Sequence, residues 1–436
     1  MQRRDFLVRT GLAIGATAFA RASRAAGSAE RLDLGTWPAV RLLFELDPRL
    51  IHMTGFFLAS HPRPVREAIE RHRRALDAEP VGYFIANEER LEAAVLEAAA
   101  DYTGGQPTDI ALTDSTTMGL GLLYGGLKLR AGQEILTTSH DHYSTETSLR
   151  LRAERTGARV RQVPLYERPS AATEDEIVGR LVRAVRPETR FVAVTWVHSV
   201  SGVKLPIRAM ADAIATLNGK RSAGDRVLFC VDGVHGFGVE DVRLPELGCD
   251  FFVAGCHKWI FGPRGTGLVW GRAEAWPEAT ATIPTFDAEA YQIWMGQRPA
   301  RELPVSVAMT PGGFQAFEHR WALDEAFRLH LAIGKPRVAA RIHELNTRLK
   351  DGLAAMPYVT LHTPRDEKLS AGIVCFEVAG RAPFDVARKL YERGIVASVT
   401  PYRTLYARLA PSLLTSTEDV DRALAEVGAL AGGNST

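Results

Sequence analysis

A chain of 436 residues, 46% hydrophobic and 24% charged, has ordinary globular composition and enough length for two or three domains' worth of core, so it needs no disulfide scaffold. Its formal charge is +2, and without the first 30 residues the balance is 48 basic to 49 acidic, which leaves no electrostatic case for a nucleic-acid partner. Four cysteines, Cys230, Cys249, Cys256 and Cys375, are scattered without metal-ligand spacing and read as buried free thiols.

At the N-terminus Arg3 and Arg4 precede Asp5-Phe6-Leu7-Val8 and the apolar run Gly11 to Ala20, which is too short to span a bilayer. Small residues between Ala22 and Ser28 offer cleavage sites. The pattern resembles a bacterial twin-arginine signal over residues 1–28, which implies the Tat translocase as a partner during export, removal of the segment and a periplasmic mature protein. No later segment is long and apolar enough for a membrane span.

An irregular stretch over 31–60 is followed by a helix opening near Pro64 and another from Glu88 to Tyr102. A strand–helix rhythm then begins, with strands predicted at Asp109–Asp114, Glu134–Thr138, Arg159–Leu165, Arg190–Val197, Arg226–Asp232, Asp250–Gly255 and Gly267–Gly271. Helices are predicted at Thr116–Lys128, Ser144–Thr156 and Ile207–Leu217. Such alternation predicts an α/β large domain over 61–330 with a mostly parallel sheet covered on both faces. A long helix over Gly334–Met356 opens a smaller α+β domain, 334–436, with strands at Ser370–Val378 and Ile395–Val399 and a closing helix over Thr417–Leu430.

Ligands of parallel sheets bind at the carboxyl ends of strands, and Ser115, His142, His198, Asp232 and Lys258 each follow one. Pyridoxal phosphate (PLP) requires a lysine to form an imine, a carboxylate beside its pyridine nitrogen, a phosphate cradle and a ring to stack on. Lys258 ends one apolar strand and Asp232 ends the strand before it, 26 residues earlier. The stretch "DSTTMGL" (114–120) places hydroxyls and free amide N–H groups at a helix start, an anion site by dipole and geometry. His142 and Tyr143 in "HDHYS" (140–144) are stacking candidates.

Together "DSTTMGL", "DHYS", "VDGVHGFG" and "AGCHKWIFGPRGTG" resemble, in this order, the class V aminotransferases of PLP fold type I, and most of all the isopenicillin N epimerase-like branch. The resemblance runs from about His52 to about Arg422. It implies that Lys258 carries the cofactor, that Asp232 binds the pyridine nitrogen, and that His235 lies near the phenolic oxygen while His142 stacks on the ring. Ser115, Thr116, Thr117 and His257 would hold the phosphate. "MTPGGF" (309–314) resembles the segment that a partner subunit contributes there, which implies Thr310 and a homodimer. Arg408 falls where the family binds a substrate carboxylate, with Arg403 as the competitor. The N-terminal segment would pack on the small domain. Gly255 stands where the family usually has a serine, and no cysteine follows Val378, so the thiol nucleophile of a cysteine desulfurase is absent.

The implied activity is aminotransferase- or epimerase-type chemistry on an amino acid or the amino-acid end of a peptidic metabolite, with Lys258 as base. The alternatives are a PLP-dependent lyase or a siderophore-peptide tailoring enzyme; the exported, periplasmic enzyme that tailors pyoverdine is similar in this way. Two readings of other classes are a metal-dependent hydrolase built on His140, His142, His198, His235, His257 and Asp232, and a non-catalytic PLP-fold binding protein. The first leaves Lys258 unexplained, and the retained Lys258 and Asp232 oppose the second. If the leader serves to export a folded, cofactor-loaded protein, Arg3→Lys with Arg4→Lys should leave loaded protein in the cytoplasm and none in the periplasm on fractionation. Periplasmic arrival of that double variant would refute the reading.

Overall fold

The structure, a computed structural model, describes residues 32–431, so the leader expected at 1–28 lies outside them. The strands are β1 (Ile51–His52), β2 (Ile110–Thr113), β3 (Glu134–Thr138), β4 (Arg159–Val163), β5 (Thr189–Thr195), β6 (Leu228–Asp232), β7 (Phe251–Gly255), β8 (Gly267–Gly271), β9 (Val359–Leu361), β10 (Val374–Val378), β11 (Ile395–Val396), β12 (Ser398–Val399) and β13 (Ala407–Leu409). The longer helices are α1 (Arg63–Ala78), α2 (Pro80–Thr103), α3 (Thr116–Gly126), α4 (Tyr143–Thr156), α5 (Glu174–Ala184), α6 (Ile207–Asn218), α7 (Leu323–Ile333), α8 (Lys335–Ala354), α9 (Pro383–Glu392) and α10 (Thr417–Ala431).

The large sheet has the order β2-β8-β7-β6-β5-β3-β4. Its pairs are parallel from β7 through β4, and β8 runs antiparallel to both β2 and β7. Every residue of β5, β6 and β7 is buried, the mark of strands covered on both faces. One apolar cluster, with Val194, Phe229, Val231 and Phe252, fills one side of the sheet, and a second, with Phe191, Cys230, Phe251 and Val253, fills the other. The alternation of neighbouring residues between the two clusters is the period-two pleat of these strands.

The small domain is an antiparallel sheet, β12-β13-β10-β9, whose core combines Leu345 and Leu349 of α8, Val374 and Phe376 of β10, Leu390 of α9 and Val420 of α10. Its connection to the N-terminal segment is covalently remote but close in space. β1 pairs in parallel with β11, and the amide of Ala410 donates to the carbonyl of Met53 at 2.9 Å.

Several elements differ from expectation for identifiable reasons. The predicted strand Ile395–Val399 is two strands, because the chain changes partner at Ala397: β11 joins β1 and β12 joins β13. The predicted strand Arg159–Leu165 stops at Val163, where Pro164 has no amide to offer the ladder. Helix α2 begins two turns before Glu88, on Pro80, and ends on Gly104 in the left-handed conformation (φ 75°). Those first turns hold Gly82 and two aromatics, poor helix formers; packing of Phe84 on Phe317, with ring centroids 4.8 Å apart, stabilises them.

Candidate active site

Because β2, β3, β5, β6 and β7 share one direction, their carboxyl ends lie along one edge of the sheet, and the polar residues that follow them converge there. Asp232 is the last residue of β6, 2% exposed, and its Oδ1 accepts the amide N–H of Val234 at 3.2 Å. Burial pushes its carboxyl up to about 7, with the Val234 amide and the Lys258 charge acting in the opposite direction. Gly233 must be glycine for the turn to close here, since a Cβ would stand 1.8 Å from Cζ of Phe252.

Lys258 follows β7, beside β6 in the sheet. Its backbone is fixed by a tight turn in which the amide of Phe261 donates to the Lys258 carbonyl and the amide of Gly262 donates to that of Cys256, at 3.0 and 2.8 Å. Phe261 takes a positive φ of 57° in that turn, a conformation bulky residues avoid. It is held by packing on Phe44 and His330. Burial pushes the Lys258 amine down to about 8, with Asp232 pulling it back up. An amine in that range keeps, near neutral pH, a neutral fraction that can take a proton.

The start of α3 forms the anion-binding end. Ser115 is the N-cap, its hydroxyl accepting from the amide of Met118 at 3.2 Å, while Thr117 is exposed. Thr116 is buried and its hydroxyl accepts the amide N–H of Gly255 at 2.8 Å, which ties the end of β7 to the start of α3. A Cβ at position 255 would lie 2.9 Å from that hydroxyl and 3.0 Å from Cε1 of His257, so the serine usual in the family would not fit without displacing one of them. Nδ1 of His257 is buried without a hydrogen-bond partner.

On the other side of Asp232 in strand order, His142 caps α4. Its Nδ1 accepts the amide of Ser144 at 3.3 Å, which puts the ring proton on Nε2. Burial, with Lys258 and Arg408 adding to it, lowers the His142 pKa and keeps the imidazole neutral. The residue before it, Asp141, locks this corner: its Oδ2 takes the Thr137 hydroxyl and the Thr138 amide, and its Oδ1 takes the Thr195 amide across to β5. His235 is buried, with Nδ1 unpartnered, and its ring stands edge-on to Phe56 at 5.9 Å.

Arg408, on β13, reaches this edge from the small domain. It is 4% exposed, and its guanidinium donates to the Ser199 carbonyl (3.0 Å), the Val399 carbonyl (2.9 Å) and the Ser398 hydroxyl (3.2 Å) while covering the Phe56 ring at 4.7 Å. These partners are neutral, so the buried cation lacks an anion. Arg403 lies exposed in the turn between β12 and β13 and does not join the buried cluster. Thr310 uses its hydroxyl within its own chain, accepting from the Leu112 amide at 3.2 Å and donating to the Ser306 carbonyl at 3.3 Å.

Sequence reasoning missed Phe56, Asp141, Ser199 and Tyr402. The Tyr402 hydroxyl is 2.8 Å from the Ser199 hydroxyl, and its ring meets His142 edge-on at 6.0 Å. The acidic residue of the "HDH" triplet was the available signal for Asp141; nothing local marks the other three. His140 and His198 belong elsewhere. His140 stacks on Tyr166 at 4.0 Å, and the Tyr166 hydroxyl bonds to Nδ1 of His198. Among the described residues no group of three or more His, Cys, Asp or Glu side chains is arranged to hold a metal ion.

The residues present fit PLP. Asp232 is a buried carboxylate short of a cation, as a protonated pyridine nitrogen would supply, and Lys258 is a depressed amine at the neighbouring strand end. His235 and His257 keep buried nitrogens unbonded, and the amides at the start of α3 suit a phosphate. A lysine and a carboxylate at adjacent strand ends of such a sheet, with an anion cradle beside them, define a PLP-dependent enzyme of fold type I. Residues 88–400 match the family model described as aminotransferase class-V, and the chain belongs to that family. It is 29% identical over 418 residues to an isopenicillin N epimerase of Streptomyces clavuligerus, covering 92% of this chain and 100% of that one. A cysteine desulfurase of Klebsiella pneumoniae is 27% identical over 77% of this chain and 81% of its own. Among solved structures, the C-S lyase C-DES, with glycine covalently linked to its PLP cofactor, superposes with a TM-score of 0.79 at 21% identity, over 89% of this chain and 98% of that one. The apo cysteine desulfurase of Thermococcus onnurineus superposes with 0.75 at 20% identity, over 93% and 99%.

The Asp232 environment has a measurable consequence for the cofactor-free protein. A carboxyl raised from 3.8 to about 7 binds its proton more tightly when folded than when unfolded, so stability falls as pH rises through that window. Asp232→Asn removes the loss. The melting temperature of cofactor-free wild type should drop relative to Asp232→Asn as pH is raised from 4 to 7, a gap worth up to ~4 kcal/mol. Parallel melting curves across that range would mean that the carboxyl is already paired with a cation.

Proposed function

We propose that this enzyme removes the α-hydrogen of an amino acid, or of the amino-acid end of a peptidic metabolite, with Lys258 as the base, in epimerase- or aminotransferase-type chemistry. The observation that carries the reading is Arg408, a buried guanidinium bonded to neutral oxygens alone at the same edge as Lys258 and Asp232. A substrate carboxylate would complete it, as a planar guanidinium fork can donate to both of its oxygens at once. PLP, when bound, supplies an electron sink for the pair left when the C–H bond breaks. Asp232 would hold the pyridine nitrogen protonated, the start of α3 with Thr116 would hold the phosphate, and His142 would cover the ring as a neutral imidazole. Lys258, with an amine pushed down to about 8, would take the proton.

The likeness to an isopenicillin N epimerase over 92% of the chain supports the epimerase side of this reading. A desulfurase role is disfavoured by the thiols. All four cysteines are free and buried at 0% exposure, and burial pushes the pKa of each upward, Cys249 and Cys375 to about 12. We also infer that the mature protein acts in the periplasm, from the twin-arginine stretch, and as a homodimer. Phe314, 87% exposed, and Trp294, 80% exposed, lie on the stretch that precedes α7 and give a second copy apolar surface to cover. Sedimentation of the active enzyme as a monomer would overturn the dimer.

The purified holoenzyme, incubated in deuterated water with amino acids and short peptides, should exchange the α-hydrogen of its substrate. Keto-acid release would point to amino transfer and ammonia release to a lyase. Lys258→Ala should lose the exchange by about a hundredfold or more, and borohydride should no longer fix the cofactor to the chain. Exchange at the wild-type rate in Lys258→Ala would overturn the assignment.

A further inference from the structure

The crevice has an unequal supply of acids on its two sides. In strand order Lys258 follows β7 on one flank of β6, whereas Ser199 follows β5 and His142 follows β3 on the other. A base on the Lys258 flank can return a proton only to the face from which it took it. Inversion at a carbon needs a second proton source on the opposite flank, and the side chains there can be weighed one by one.

His142 is a poor candidate. Its Nδ1 is committed to the Ser144 amide, and burial beside the Lys258 and Arg408 charges keeps the ring neutral. Arg408 keeps its protons and is bonded to three oxygens. A serine hydroxyl is a weaker acid than a phenol; burial pushes the Tyr402 phenol up as well, but the Ser199 hydrogen bond and the Arg408 charge act in the opposite direction. Tyr402 remains. It belongs to the small domain, in the turn between β12 and β13, yet its hydroxyl crosses to the Ser199 hydroxyl at 2.8 Å. Its ring stands against His142 with centroids 6.0 Å apart and planes at 78°. Ser199 also gives its carbonyl to Arg408, so one residue binds both the phenol and the arginine that would seat the substrate carboxylate. The phenol thus shares Ser199 with Arg408 and stands at the β5 and β3 strand ends, on the flank of β6 away from Lys258.

We propose that Tyr402 is the acid that returns a proton to the substrate α-carbon on the face opposite Lys258, with Ser199 as its relay, which makes the enzyme one that inverts configuration. The proposal rests on the α-hydrogen reading above. In the forward direction the Lys258 amine would take the α-proton and leave the C–H electron pair behind, for which PLP would supply the electron sink. That pair then forms a new C–H bond on the other face with the proton of the Tyr402 O–H, whose bonding pair stays on oxygen. The phenolate regains a proton from the Ser199 hydroxyl, which is reprotonated by water, and Lys258 gives its proton back to water. No proton or electron is gained or lost overall, and no co-reactant is needed.

The test uses the holoenzyme in deuterated water with proteinogenic amino acids and short peptides bearing a free α-amino-acid end, following both α-hydrogen exchange and the enantiomer ratio. Wild type should exchange and invert. Tyr402→Phe should keep exchange within about threefold but lose inversion by about a hundredfold or more, since the remaining base serves one face. Ser199→Ala, which leaves the phenol in place and cuts its relay, should slow inversion more than exchange. A second readout needs no turnover: calorimetric binding of the 2-methyl analogue of the exchanged substrate, which has no α-hydrogen to lose, should be the same in Tyr402→Phe as in wild type. Wild-type inversion in Tyr402→Phe, or equal loss of exchange, inversion and analogue binding, would overturn the proposal, the latter by reducing Tyr402 to a positioning residue. Exchange without inversion in wild type would overturn it while leaving the α-hydrogen reading intact; no exchange at all would defeat both.

Discussion

Asp232 carries its carboxyl to the end of a central strand of the large sheet, where water does not reach it and no cationic side chain is bonded to it, and a charge so placed is costly until a cation arrives. The surroundings are arranged on that condition. Lys258 is held by a strained turn one strand away, near enough to feel the carboxylate but not hydrogen-bonded to it. The histidines around the pair are kept neutral by burial and by the lysine and arginine charges, so they add no competing cation. The result is a site poised for a ligand with a cationic ring nitrogen and an anionic tail, which describes PLP.

The Arg408 side of the crevice is built differently, because two domains and the N-terminal segment share it. Arg408 comes from the small domain, its partner Ser199 from the large one, and Phe56 from the segment that β1 anchors to β11. Phe56 covers the Arg408 guanidinium and also meets His235 edge-on, a contact chain from the arginine to His235. Both domains must be seated for Arg408 to point at the sheet edge. The half-buried Glu240, whose other oxygen is held by Lys204 at 2.8 Å, meets His343 of α8 at 3.0 Å and fastens that helix to the large domain a few residues beyond His235.

How much of this was legible in the sequence follows from the range of the interactions. The strands ending at Asp232 and Gly255 are short, apolar and bounded by glycines, so local composition marks them, and the rule that parallel sheets bind at carboxyl ends does the rest. Ser115 and Thr116 could be found because a helix start announces itself. Helices α5, α7 and α9 were passed over although their buried apolar pairs, Ile177 with Leu181, Leu323 with Phe327 and Val386 with Leu390, stand four residues apart, a helical period that the sequence did carry. Ser199 and Tyr402 are 203 residues apart and touch only through the meeting of two domains. No spacing rule reaches that far. Family likeness pointed to Arg408 before Arg403, but that Arg408 lies buried on β13 while Arg403 lies exposed in the turn before it is set by the fold of the small domain.

The cysteines carry a consequence for where such a chain can live. Each thiol is sealed in the interior, free and shifted away from its reactive ionised form. Neither glutathione on one side of a membrane nor a disulfide-forming catalyst on the other can then rewrite its covalent connectivity once it has folded. The finished molecule is redox-blind: its architecture depends on the order of its strands and on the ligand they gather, and a change of compartment leaves both untouched.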